Sequence, residues 1–155
     1  MNRLILFFYF VLIGLLFSSC ATHYNVSGFR GGYSEVKLND GIYDVSFKGN
    51  GVTSEETIHR YFLYRCTEIA LENNCRYFIM YDKDLGSVVS STGMAGNIDS
   101  YGRVQMSANT VSKAYGNGTI KLLSEKPEED IIVYDAKELK RSLEQYIKRG
   151  KNSFI

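Results

Sequence analysis

The longest apolar run in this chain comes first, and the patterns that follow it are shorter and periodic. Leu4 to Phe17 is an unbroken fourteen-residue apolar stretch, preceded by Met1-Asn2-Arg3 and followed by Ser18-Ser19-Cys20. A membrane span needs roughly 20 apolar residues, so this stretch predicts a cleaved targeting segment. Ile42 to Lys48 alternates Tyr43, Val45 and Phe47 with Asp44, Ser46 and Lys48, the period of a half-buried strand. Upstream, Tyr33 to Leu38 reads as a further extended piece turning through Asn39-Asp40-Gly41. Ile58, Phe62, Cys66, Ile69 and Ala70 recur at helical spacing. Thr53-Ser54-Glu55-Glu56 before them is a capping-box sequence with Thr53 as N-cap, and Asn73-Asn74 supplies a stop.

Tyr77 to Tyr81 is a compact apolar run of strand length, and Thr119 to Leu123 restores a strand pattern ahead of Pro127, the only proline. Asp135, with Glu138 three residues on, caps a second helix whose stripe is Leu139, Leu143, Tyr146 and Ile147. Between these elements, residues 84–118 are rich in Gly, Ser, Thr and Asn and read as a mobile loop or hairpin. Its two extended pieces, Tyr101 to Ser107 and Thr110 to Tyr115, are separated by Ala108-Asn109. The pattern predicts an α+β fold: a small antiparallel or mixed sheet of four to five strands with two helices packed on it.

Small residues just before a cysteine, behind a basic start and a short apolar segment, are what a lipoprotein signal requires. The expectation is cleavage after Ser19, diacylglycerol on the Cys20 thiol and an N-acyl chain on its new amine. Stable anchoring takes more than one chain, and this would be the only non-protein group; no other cofactor is expected. Ala21 is not the Asp that retains many lipoproteins at the inner membrane, so the outer membrane is favoured. Residues 20–32 then read as a lipidated tether, 33–149 as a single domain and 150–155 as a tail.

Removing residues 1–19 from 155 leaves 136, enough for one domain. The 18 Lys and Arg against 17 Asp and Glu become balanced once Arg3 is removed, which leaves no electrostatic footprint for nucleic acid. Lys137, Lys140, Arg141, Lys148, Arg149 and Lys151 gather near the end and read as a solvated helix face, with lipid headgroup contact as the alternative. Cys66 and Cys75 permit one disulfide, the alternative being Cys66 packed as a small hydrophobe on the helix. No Cys-x-x-Cys occurs and His23 and His59 are isolated, so no metal site is expected.

Gly49, Gly51, Thr53 and Ser54 lie between a strand and a helix, as an anion-binding turn would. Their other reading is a tight turn with a helix cap. The serines stand near no recognisable base, and Glu55-Glu56 and Glu128-Glu129-Asp130 fit surface charge, so a hydrolase ranks third among the functions. Tyr61 and Tyr64 lie off the helix's main stripe and read as surface residues.

Several segments together resemble a family of small bacterial envelope lipoproteins known mainly by locus tags. They are Gly31 to Glu35, Tyr43 to Gly51 with Thr53-Ser54, Glu68 to Asn74, Tyr77-Phe78-Ile79, Ile120 to Leu123, Lys126-Pro127 and Tyr134-Asp135-Ala136. The resemblance spans most of the mature chain outside the glycine-rich middle and brings no catalytic residues with it. The function of that family is uncharacterised; the expectation from the chain as a whole is a lipid-anchored binding or assembly module in the envelope, with the membrane and an envelope protein or peptidoglycan as partners. The rival is a stress-related or structural lipoprotein without a defined ligand.

Overall fold

The computed structural model describes residues 21–98, 104–128 and 130–150. The expected signal segment, Cys20, Tyr101, Glu129 and residues 151–155 lie outside the described residues. The elements are β1 (Gly32–Asn39), β2 (Ile42–Lys48), α1 (Glu55–Glu72), β3 (Tyr77–Ile98), β4 (Val104–Leu123), β5 (Tyr134–Asp135) and α2 (Ala136–Leu143). A 3₁₀ turn, Glu144–Tyr146, follows α2. The strands form one five-stranded sheet in the order β1-β2-β4-β3-β5, antiparallel at every pairing. The fold is α+β, an open antiparallel sheet with two helices.

Alternation along β2 dictates the layering. Val45 and Phe47 are fully buried while Asp44 and Lys48 are exposed, so one sheet face meets α1 and the other faces solvent. The same covered face receives Phe78, Ile120 and Leu122. The stripe Ile58, Phe62, Cys66, Ile69 and Ala70 is buried against it. Phe78 stacks on Tyr134 with ring centroids 5.1 Å apart, which ties β5 to the sheet.

Several expectations need correcting. Ser54, not Thr53, is the N-cap of α1: its side chain accepts from Thr57 N at 3.3 Å, while Thr53 Oγ1 accepts from Thr22 N. Asn73 caps the C-terminus and Asn74 takes a φ of 57°, as the Asn-Asn stop implies. Tyr61 and Tyr64 are core residues, exposed by 1% and 0%. A one-stripe reading fails because α1 is covered on a second side by α2 and by the segment before β1. That segment is no free tether. Tyr24 is buried and its ring lies 5.7 Å from Tyr61, 5.2 Å from Tyr64 and 5.1 Å from Tyr33, centroid to centroid.

Cys66 and Cys75 are both free thiols: Cys66 is locked in the core, where burial pushes its pKa up, and Cys75 lies beyond the helix stop. The glycine-rich middle is the hairpin alternative, with no break at Ala108-Asn109. β3 and β4 run 22 and 20 residues and pair throughout, apart from irregularities after Tyr81 and Ser91. Beyond the pair Lys48↔Tyr115, β4 has β3 as its strand partner and nothing further among the described residues. The hairpin therefore leaves the sheet as a two-stranded ribbon. At about 3.3 Å per residue, Leu85 to Ile98 reaches roughly 45 Å.

Candidate functional site

The ribbon leaves the sheet at the end where the chain's first described residues are fixed. Thr22 is 3% exposed and is held at three points. Its amide donates to Thr53 Oγ1 at 2.9 Å, its hydroxyl donates to Arg30 O at 2.9 Å, and the same hydroxyl oxygen accepts from Asn50 N at 2.9 Å. Thr53 in turn donates to Asn50 Oδ1 at 2.8 Å, and Asn50 Oδ1 also accepts from Val52 N at 3.0 Å. Gly49 N donates to Ala114 O at 2.8 Å and so sews the turn to the ribbon root.

Gly49, Gly51, Thr53 and Ser54 thus come together, but as a structural joint. The amides of Gly49, Asn50, Val52 and Thr53 donate to protein oxygens, and Ser54 caps α1. Those four amides are therefore committed to protein acceptors and not to a bound anion. A Cβ on Gly51 would stand 2.3 Å from Val111 Cγ1 on the ribbon, so any larger residue there would force the Val111 side chain to shift.

Exposed apolar side chains gather around this joint. Phe29, at the tip of the turn before β1, is fully solvent-exposed at 107%, and Val26 and Val52 are 65% and 69% exposed. Val88 and Val89 on the ribbon are 58% and 64% exposed. As consecutive strand residues they lie on opposite faces, so neither face of the ribbon is covered here. A cleft of about 610 Å³ opens between the Phe29 turn and the ribbon root, lined among others by Lys48, Asp84, Val88, Lys113 and Tyr115. A hydrogen bond from Tyr115 to Asp84 raises the phenol's pKa. Lys48, Asp84, Lys113 and Tyr115 continue the solvent face of the sheet, so the cleft is wet and mixed in charge.

A second cluster escaped the sequence reading. Arg65 has a side chain only 10% exposed and donates to Glu35 at 2.8 and 3.1 Å, to Glu72 at 2.9 and 3.2 Å, and to Glu68 at 3.0 Å. Burial opposes its charge, but the bonds to Glu35, Glu72 and Glu68 outweigh that and hold its pKa above the ordinary value. Tyr24 donates to Glu68, and Arg65 lies over the Tyr33 ring at 4.7 Å. Arg65, Glu68 and Glu72 occupy positions i, i+3 and i+7 of α1, the one local signal that could have revealed the group. It fastens β1 to the helix and, through Tyr24, the segment before β1 as well.

His59 on α1 has its Nε2 buried and unpartnered; burial, aided by Lys83 and Arg60, lowers its pKa. Among the described residues, no group of three or more His, Cys, Asp or Glu could hold a metal ion, and no helix is long and apolar enough to cross a membrane. No protein-family model, curated protein or solved structure matches the chain.

Proposed function

We propose that the chain is an envelope lipoprotein anchored through Cys20 in the outer membrane, where it serves as a binding or assembly module with the ribbon as its working part. The observation that carries this reading is the fixed position of Thr22. Only Ala21 separates it from Cys20, so acyl chains on Cys20 would seat the domain directly on the bilayer, with no spacer. The side chains that would then meet the lipid are Val26, Phe29 and Val52, the exposed apolar residues of that end. A large exposed apolar patch is a recognised mark of a membrane or protein contact. The ribbon adds two strand edges, the usual template for pairing with another chain.

Intact-mass spectrometry of protein purified from fractionated membranes tests this reading. The expected species begins at Cys20, carries the mass of a diacylglycerol and an acyl chain, and sediments with the outer membrane. An unmodified Cys20, or a chain retaining residues 1–19, would contradict it.

A further inference from the structure

We infer that the cleft between the Phe29 turn and the ribbon root is a headgroup site, in which Lys48 and Lys113 hold the phosphate of an anionic glycerophospholipid. The inference rests on the anchored reading and names the part of the bilayer that this end recognises. Register brings the two cations together. Lys48, the last residue of β2, is opposite Tyr115 of the antiparallel β4, and Lys113 stands two positions along β4 on the same face. Diagonal neighbours of this kind lie about 7–8 Å apart, within reach of long side chains, so both ammonium groups can close on one phosphate. Both residues are exposed, and neither forms an ion pair among the described residues. The carboxylate that lines the cleft, Asp84, is engaged by the Tyr115 hydroxyl. Two ammonium groups against one carboxylate leave the cleft cationic.

The walls favour a lipid over a free phosphate. Phe29 and Val88 are exposed and line the same cleft, so apolar surface stands beside the cations as glycerol and acyl carbons stand beside a lipid phosphate. Arg30, next to Phe29 in the turn, is exposed as well and adds a third cation there.

The anchor delivers the bilayer to this place. An added Cβ on Gly31 would stand 3.2 Å from Thr22 Cγ2 and 2.2 Å from Lys48 O, so Thr22 and the Lys48 backbone both pack on Gly31. Cys20 precedes Thr22 by two residues, a reach of about 7 Å at most. Acyl chains on Cys20 therefore enter the membrane beside the cleft, with the lysines at headgroup depth and their stems along apolar surface.

The test is a titration of ¹⁵N-labelled, lipidated protein in dodecyl maltoside micelles with dihexanoyl phosphatidylglycerol, read at the amides of Gly31, Gly49 and Ala114. These signals should shift and saturate. Phosphatidylcholine of the same chain length, whose phosphate is balanced by its own ammonium, should shift them far less. Lys48→Gln and Lys113→Gln should each weaken the apparent affinity about fivefold, the value of one lysine beside an anionic headgroup. Lys121→Gln, on the same sheet face but roughly 20 Å from Tyr115, should leave it unchanged. All three lysines are exposed, so no change enters the core. Absent shifts, equal shifts from phosphatidylcholine, or equal losses from Lys121→Gln would overturn the headgroup site. Inorganic phosphate that saturates the same amides at the same concentration would overturn it too, by showing that the lysines take a free anion. Intact mass of the same sample reports the anchor separately, so a lipidated chain that fails the titration condemns the headgroup site alone.

Discussion

Arg65→Met is the perturbation with the largest expected effect on the fold. The change removes five hydrogen bonds to three carboxylates from a side chain only 10% exposed. It leaves Glu68 and Glu35, with side chains 16% and 29% exposed, without the cation they share. Breaking a buried ion pair in this way costs about 3–5 kcal/mol, a large part of the roughly 5–15 kcal/mol that holds a domain together. With a urea m-value of about 2 kcal/mol per M, the midpoint should fall by roughly 2 M. Arg65→Lys keeps the charge but cannot reproduce the two-pronged grip on Glu35 and should fall between. Glu72→Gln, whose side chain is 56% exposed, should cost under about 1 kcal/mol. An Arg65→Met midpoint within about 0.5 M of wild type would refute the argument that this cation holds β1 onto the helix.

Gly31→Ala should destabilise by about 1–3 kcal/mol, because Gly31 has a φ of +93° and an added Cβ would stand 2.2 Å from Lys48 O. Thermal melts would show it, and an unchanged melting temperature would contradict the close approach. Stability should also fall in acid. The Tyr64 hydroxyl and Arg149 hold Glu144 below the usual carboxylate range; burial opposes the charge of Asp135, but the Glu138 amide and Arg76 still lower its pKa. Both groups therefore stabilise the fold fully above their unfolded values near about 4, and that contribution is lost as pH falls through the lower folded values. Glu144→Gln should flatten the decline in urea midpoint between about pH 5 and 3; an unaltered slope would exclude Glu144 as a source.

Much of the fold was legible because it rests on local periodicity. The alternation of Tyr43, Val45 and Phe47, the apolar spacing from Ile58 to Ala70 and the cap at Asp135 each match the elements observed. Errors arose where long-range contacts override local pattern. Tyr61 and Tyr64 looked like surface residues because only one stripe was counted, yet Tyr24, Glu144 and Lys148 reach them from 37 residues or more along the chain. The Thr53 cap was displaced by a distant competitor, Thr22, for the same hydroxyl. The ribbon was half legible: Gly and Ser thin its apolar content, and its strands are paired to one another without a core beneath them. The end formed by Thr22, Phe29 and Val52 could not be seen in sequence at all, since nothing local brings residue 22 to residue 53.

The central claim is that this end of the domain meets the bilayer. The chain contains no tryptophan, so Phe29→Trp installs a single reporter at the tip of the exposed turn. In vesicles containing brominated phosphatidylcholine, lipidated Phe29→Trp protein should show blue-shifted emission and strong quenching. Water-exposed, unquenched emission from vesicle-bound, lipidated protein would contradict the seating of the domain on the membrane.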